Sequence, residues 1–231
     1  MLDCLIAFIV ALVSAVSPNT AARETNHAPA SQDSTVTVPR GAATLDGTLA
    51  PGEWPGAYLG RLTGDGEVLL MYDGGFLYLG VRRRADLVVT VCLDRGDSVA
   101  VLHSSAALGT AVYRRGPNGW DLTRRFIWEL RDSTMTAAAQ REREAFLQRE
   151  GWVATNAYVG ARTDTEFAIA MPSGRLRLAV VPMSVGEGYQ ETAWWPGRLA
   201  DGCRVGDLLS GHLPTLLHFA PDTWMTVVAG R

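Results

Sequence analysis

The side chains around residue 194 have the types and spacing best suited to binding chemistry. The chain contains seven tryptophans, and two of them, Trp194 and Trp195, are adjacent. Neighbouring residues of a strand point to opposite faces, so one ring can fill the core while the other faces solvent. An exposed ring is a stacking surface for a sugar, and polar groups beside it can hydrogen-bond the hydroxyls. The candidate ligand-binding residues are therefore Trp194, Trp195, Glu191, Gln190 and Arg198.

Core packing is the alternative role for any of these rings, because most large aromatic side chains in proteins are buried. We assign Trp54, Trp128 and Trp224 to the core on this ground. Pro196 follows the adjacent pair and places it at a strand end, where the loops of sandwich domains carry binding sites.

No arrangement of residues indicates catalysis. His103 precedes Ser104 and Ser105, but the chain has no Gly-x-Ser-x-Gly elbow and no acidic partner can be placed beside them. We therefore expect a structural histidine and no catalytic residue. Asp46, Asp94 or Asp97 could serve a structural calcium ion, but they form no spaced acidic loop, so no metal ligand and no cofactor is predicted.

The composition is that of an ordinary globular chain with a sizeable core. It has 231 residues, of which 47% are hydrophobic and 19% charged, and a formal net charge of −3. This weakly acidic balance provides no electrostatic footprint for nucleic acid or an anionic membrane surface. Neither partner is predicted, and the oligomeric state is not indicated.

The first 22 residues have the pattern of a secretory signal peptide. Residues 5–16 are apolar, which is too short to span a bilayer but suits the apolar region of a signal, and small residues at 20–22 offer a cleavage site. A buried first strand or an N-terminal anchor is the alternative. We expect a signal peptide at 1–22, a flexible linker at 23–40 and one domain at 41–231, secreted or periplasmic, with no membrane span after cleavage.

Period-2 alternation predicts strands through most of the domain. Residues 68–73 and 76–81 alternate on either side of an Asp-Gly-Gly turn, which is typical of a hairpin. Residues 87–93 are apolar almost throughout, so both faces of that strand should be covered. A second hairpin is predicted around the turn at 116–119, with its second arm running to residue 130. Later strands are expected at 152–159, 165–171, 176–181, 216–219 and 224–228.

One helix interrupts the strands. It is predicted over residues 132–149, capped by Asp132 or Ser133 and terminated by Gly151. The expected fold class is thus an all-β, two-sheet antiparallel sandwich with one inserted helix. Cleavage of the signal would leave Cys92 and Cys203, which can pair in an oxidising compartment, or Cys92 can simply be a small buried residue.

Several short motifs carry a resemblance to a known family. Leu45-Asp46-Gly47, Glu53-Trp54, the hairpin at 68–81 and the Glu-Phe-x-Ile pattern within 165–172 resemble family 9 carbohydrate-binding modules and the wider DOMON-like group. The resemblance implies a sandwich of jelly-roll or immunoglobulin-like type and, for part of that group, saccharide binding. The family clamps a sugar between two tryptophans. The loop at 82–86 has no aromatic residue, so only Trp194 or Trp195 matches the clamp.

Two functions follow as expectations. The first is a non-catalytic binding module, secreted or periplasmic, with a saccharide as its ligand. The alternative is a structural or protein-interaction sandwich domain of the cell envelope without a small-molecule site. The exposure of Trp194 or Trp195 beside polar side chains separates the two.

Overall fold

The computed structural model describes residues 34–83, 87–131, 136–156, 164–186, 189–197, 199–204 and 213–230. All of these residues belong to one compact unit, Ser31–Arg231. The signal peptide predicted at 1–22 lies outside the described residues. Among the residues that are described, no helix is long and apolar enough to cross a membrane.

The described chain consists mainly of strands. They are β1 (Thr35–Val38), β2 (Tyr58–Arg61), β3 (Glu67–Asp73), β4 (Phe76–Arg82), β5 (Leu87–Asp94), β6 (Ser98–Ser104), β7 (Leu108–Gly116), β8 (Gly119–Arg124), β9 (Trp152–Ala154), β10 (Asp164–Ala170), β11 (Arg175–Gly186), β12 (Tyr189–Thr192), β13 (Leu216–Leu217) and β14 (Met225–Ala229). The helix α1 spans Ala137–Glu150, and short 3-10 helices cover Gly202–Arg204 and Pro221–Thr223.

Two sheets pack against each other, as the alternation predicted. The larger has nine strands in the order β1-β14-β11-β5-β6-β7-β8-β13, with β12 also paired to β11. The smaller has five strands in the order β2-β3-β4-β10-β9. The described strand pairs are antiparallel except β1–β14, which is parallel. The expected antiparallel sandwich is therefore correct at the level of two β-sheets with one helix.

The hairpin of β3 and β4 forms as predicted. Asp73 pairs with Phe76, and Gly74 and Gly75 between them have φ of 58° and 88°. Two consecutive positive φ values define the tight turn whose twist matches that of the flanking strands, and glycine adopts them without a Cβ penalty. Local sequence was enough to determine this register.

The central strand β5 is covered on both faces, which confirms the prediction for residues 87–93. Val89, Val91 and Leu93 face the inner core between the two sheets. Cys92 faces the opposite way, into a second apolar cluster formed with the C-terminal segment. The two layers share this strand, which explains its nearly continuous apolar sequence.

A disulfide ties the second cluster to the sheet. Cys92 on β5 is bonded to Cys203 in a 3-10 helix, with Cα atoms 6.2 Å apart, a separation that a disulfide spans readily. Trp120, Phe219 and Trp224 pack in the same cluster. Of the two roles that the sequence left open for Cys92, a disulfide or a small buried residue, the disulfide is the one present.

The segment at 41–57 covers the outer face of the smaller sheet. Leu49 and Trp54 pack there with Met71. Gly80 permits this approach, because a Cβ on that residue would lie 2.6 Å from Leu49 Cδ2. The core assignments of Trp54 and Trp224, which are 8% and 1% exposed, are confirmed, whereas Trp128 is only half-buried.

The carboxylate of Glu166 on β10 holds the same segment in place. It accepts hydrogen bonds from the backbone N–H groups of Asp46 at 3.0 Å and Gly47 at 2.7 Å. The Leu-Asp-Gly and Glu-Phe-x-Ile motifs therefore contact each other across the sheet face. Their shared role in this chain is to close the N-terminal segment onto the sandwich.

Three predicted boundaries are wrong. Residues 35–38 of the expected linker form β1, because four alternating Thr and Val residues suffice for an edge strand beside β14. The second arm of the later hairpin ends at Arg124 rather than at residue 130, since beyond it only Glu129 bridges back to Leu108. The predicted strand at 152–159 is β9, which spans Trp152–Ala154.

The helix also starts later than predicted. Its N-cap is Thr136, whose side chain accepts the N–H of Ala139, and not Asp132 or Ser133, which lie outside the described residues. The predicted C-terminus is confirmed, because Gly151 adopts φ of 71° and its N–H binds the carbonyl of Leu147.

Candidate functional site

The adjacent tryptophans lie beside the edge of β11, just after β12. The backbone of Trp195 exchanges two hydrogen bonds of 2.8 Å with Val180, so the chain here extends the sheet. The two rings accordingly point to opposite faces, as predicted. Trp195 joins the inner core and Trp194 packs against the outer cluster.

Trp195 is a core residue. Its side chain is 3% exposed and packs on Tyr58, with ring centroids 6.2 Å apart. The backbone of β2 closes over it at Gly60, where a Cβ would lie 2.6 Å from the indole Nε1. Trp195 is therefore the core-facing member of the pair, and Trp194 is the one left to form a platform.

Trp194 is the partly exposed member of the pair. The guanidinium carbon of Arg204 lies 3.6 Å from its ring centroid, so one face of the indole is stacked by a cation. Arg204 is held in turn by a 2.9 Å hydrogen bond to the carbonyl of Leu199. Trp194 is thus partly exposed, with one indole face covered by Arg204 and the guanidinium N–H groups beside the ring.

The loop after β2 holds the backbone of Trp194. The hydroxyl of Thr63 accepts the Trp194 N–H at 3.0 Å, and the Thr63 N–H donates to the Trp194 carbonyl at 3.0 Å. Sequence reasoning missed both Thr63 and Arg204. Neither belongs to a motif, and Thr63 lies 131 positions away in the chain.

The remaining predicted site residues are not brought to the ring by any described contact. Gln190 and Glu191 lie on β12, paired with Val185 and Ser184, and their side chains are outside what the structure describes. Arg198 lies outside the described residues altogether.

A concave site lies elsewhere on the larger sheet, beside α1. It is a pocket of about 220 Å³ between the last turns of α1, the adjacent strands β7 and β8, and the segment at 127–129. Its lining combines four charged side chains, one hydroxyl and two apolar walls, namely Thr110, Arg124, Ile127, Glu129, Phe146, Arg149 and Glu150.

The charged groups of this pocket form a continuous chain of ion pairs. Arg124 donates to Glu150, which also accepts from Arg149 Nε at 3.3 Å. Arg149 Nη2 donates to Glu129 at 2.7 Å. Cations and carboxylates therefore alternate around the rim, and the four charges cancel.

The carboxylate of Glu150 is held ionised. Burial opposes its charge, but hydrogen bonds from Arg124 and from the Thr110 hydroxyl outweigh that effect, so the pKa of Glu150 lies below its ordinary value. Thr110 is oriented by Trp152, whose Nε1–H donates to the hydroxyl oxygen at 2.9 Å. The inner side of the pocket, at Thr110 and Glu150, is thus built from largely buried groups that orient one another.

The backbone beside the pocket is strained. Leu130, which follows the lining residue Glu129, has φ of 51°, a conformation costly for a residue with a Cβ. The buried side chain of Asn156 donates to the Leu130 carbonyl at 2.6 Å, and its own oxygen accepts from Arg143. Such strain persists where the surroundings enforce it, and it is common beside functional sites.

His103, the histidine considered for catalysis, is buried among aromatic side chains. His103 is 2% exposed, lies 3.2 Å from the Thr90 hydroxyl and packs against Phe126 and Trp128. Burial lowers its pKa to about 4. Ser104 donates to the Thr155 carbonyl at 2.6 Å. In the part of the chain that is described, no three His, Cys, Asp or Glu side chains are grouped to hold a metal ion.

Comparison with known proteins does not identify a family or a function for this chain. No family model matches the chain, and no match was found among curated proteins or solved structures.

Proposed function

We propose that this protein is a non-catalytic saccharide-binding module. The observation that carries the proposal is the ring of Trp194, which is partly exposed on the outer face of the larger sheet and stacked by Arg204. Sugar rings bind through their C–H faces to aromatic surfaces, while guanidinium groups donate hydrogen bonds to hydroxyls. In this proposal the part of the Trp194 ring that Arg204 leaves uncovered contacts the sugar, and the N–H groups of Arg204 donate to its hydroxyls.

The rigidity of the platform supports the same function. Thr63 holds the backbone of Trp194 and Leu199 holds Arg204, so little side-chain freedom is lost when a ligand binds. The motifs that resemble family 9 modules are further support. We extend the proposal to a sandwich of jelly-roll or immunoglobulin-like type, as that resemblance implies.

A secreted or periplasmic location is part of the proposal. Disulfides persist in oxidising compartments, and the Cys92–Cys203 bond joins two buried residues. Together with the signal-like sequence at 1–22, the disulfide supports export. N-terminal sequencing of the exported protein should recover a chain that begins near residue 23.

The platform is tested by substituting each tryptophan separately. Trp194→Ala is expected to lower the affinity for a bound saccharide by about tenfold to a hundredfold while the domain stays folded, because it removes a stacking contact at the surface. Trp195→Ala should instead destabilise the domain by roughly 3–5 kcal/mol, because it empties a core site. Titration calorimetry and thermal melting distinguish the two outcomes.

Trp194→Phe is the matched control, because it keeps a ring at the platform and should retain most of the affinity. If Trp194→Ala and Trp195→Ala unfold alike, or if neither changes the binding of a confirmed sugar, the platform assignment is wrong. The alternative function, a protein-interaction domain, would then be favoured. The apolar side chains of Leu59 and Ile127, which are 50% and 67% exposed, are consistent with it.

A further inference from the structure

The pocket beside α1 shares no lining residue with the Trp194 platform. We propose that it binds a single neutral sugar ring, as a second saccharide site of this module. This inference rests on the proposed saccharide-binding function and names a further place and ligand class for it.

Size is the first argument. The pocket holds about 220 Å³, which is below the roughly 300 Å³ at which pockets for drug-sized ligands begin. One pyranose-sized unit fits such a volume, whereas a folded-back chain of several units does not. The pocket therefore suits a monosaccharide or the terminal ring of a longer glycan.

Charge is the second argument. Arg124 and Arg149 are paired with Glu150 and Glu129 around the rim. An anionic ligand would have to compete with the carboxylates, and a cationic one with the guanidinium groups. A hydroxyl group both donates and accepts hydrogen bonds, so a neutral polyol can insert between an arginine and a glutamate without leaving either charge unpaired.

The apolar lining residues of the pocket can contact the C–H groups of a sugar. Ile127 is 67% exposed at the mouth, and Phe146 lies behind the rim with the Arg149 guanidinium carbon 5.3 Å from its ring centroid. The apolar C–H groups of a sugar ring can contact Ile127 while its hydroxyls face the charged side. Contact between Ile127 and a sugar ring would bury apolar surface of the side chain that solvent now contacts.

The hydrogen-bonding groups at the inner end of the pocket are held in place by neighbouring side chains. Trp152 orients the Thr110 hydroxyl toward Glu150, and Asn156 holds the strained backbone that follows Glu129. The inner groups, Thr110 and Glu150, are largely buried, whereas Arg149 and Glu129 on the rim are 50% and 36% exposed. The buried inner groups distinguish the pocket from the Arg114–Asp97 ion pair at the turn end of the same sheet, whose side chains are 62% and 71% exposed.

The test is a titration of the full-length protein with neutral monosaccharides (glucose, galactose, mannose, N-acetylglucosamine) and with their charged counterparts glucuronate and glucosamine. Calorimetry in the millimolar range suits a ligand of this size. At least one neutral sugar is expected to bind more tightly than either charged sugar. Equal or tighter binding of the charged sugars would overturn the argument from charge.

The variants are Arg149→Ala and Glu129→Ala, with Arg114→Ala as the matched control. Each of the first two should weaken binding at least tenfold, because each removes a charged hydrogen-bonding group from the rim. Arg114→Ala removes a comparable exposed arginine away from the pocket and should leave affinity unchanged. Thermal melting checks folding, and Glu129→Ala serves as the test if Arg149→Ala is unstable.

Trp194→Ala separates this inference from the proposed function. If Trp194→Ala abolishes monosaccharide binding while both rim variants bind normally, the pocket proposal is wrong and the platform stands. The same conclusion follows if only oligosaccharides bind, through Trp194. If no saccharide binds at all, the saccharide-binding function itself fails, and the pocket proposal fails with it.

Discussion

The buried carboxyl of Glu166 makes the stability of this protein depend on pH. Burial raises its pKa to about 7 from an ordinary value of 4.5, and the nearby carboxylate of Glu53 adds to the shift. The N–H groups of Gly47 and Asp46 oppose it by favouring the charged form. Desolvation prevails, because Glu166 is 0% exposed and its Oε1 has no hydrogen-bond partner.

The sign of the effect follows from the two pKa values. Between pH 4.5 and about 7 the folded protein keeps the Glu166 proton while the unfolded chain has lost it. The free energy of unfolding therefore falls as the pH rises through this window, by at most roughly 3 kcal/mol. Below the window both states are protonated, and the cost of a buried charge is absent.

Glu166→Gln should remove this dependence. Glutamine is neutral at every pH, and its oxygen can still accept the two backbone N–H groups. The variant is expected to unfold like the parent near pH 4 and to be more stable by about 2–3 kcal/mol at pH 8. Urea denaturation across that range measures the difference.

Glu144→Gln, on the exposed face of α1, controls for the loss of one negative charge. Parallel stability curves for Glu166→Gln and the parent protein between pH 4 and 8 would contradict the prediction.

At the scale of single elements, the position of β2 depends on one glycine. Gly60 lies over the indole of Trp195, and a Cβ there would be 2.6 Å from Nε1. An indole cannot move aside as a flexible side-chain end can, so the strand or the ring would have to shift. We expect Gly60→Ala to destabilise the domain by about 1–3 kcal/mol, measured by chemical denaturation.

Gly197 provides a matched control two residues after the same tryptophan. A Cβ on Gly197 would lie 3.9 Å from Thr63 Cγ2, an ordinary contact. Gly197→Ala should therefore change stability by less than about 0.5 kcal/mol. Equal losses for the two variants would show that the approach of β2 to Trp195 is not the cause.

At the scale of the whole molecule, the disulfide joins the central strand to the outer C-terminal layer. Cys92 and Cys203 are 111 residues apart in sequence, so the bond closes a long loop and restricts the unfolded chain. Reduction is expected to lower the free energy of unfolding by about 2–5 kcal/mol. Urea denaturation with and without a reductant measures the loss.

The double variant Cys92→Ala with Cys203→Ala is the control, since its stability should not respond to the reductant. Limited proteolysis adds a local measurement, because the segment that carries Phe219 and Trp224 should become more susceptible once the bond is broken. An unchanged unfolding curve of the parent protein in reductant would contradict the expected contribution.

Local sequence determined the parts of this fold that depend on neighbouring residues. Two glycines in a row specify the β3–β4 turn, and alternation on both sides specifies its register. The continuous apolar run of β5 indicated a strand covered on both faces. The adjacency of Trp194 and Trp195 likewise implied rings on opposite faces, because successive side chains of an extended chain alternate.

Tertiary structure decided which ring is exposed and what surrounds it. Alternation does not specify which face meets the inner core, so the burial of Trp195 depended on β2 closing over it at Gly60. Arg204 reaches Trp194, and Arg124 reaches Glu150, only after distant segments have packed together. Contacts of this kind depend on the relative positions of whole elements, which the periodicity of each element does not encode.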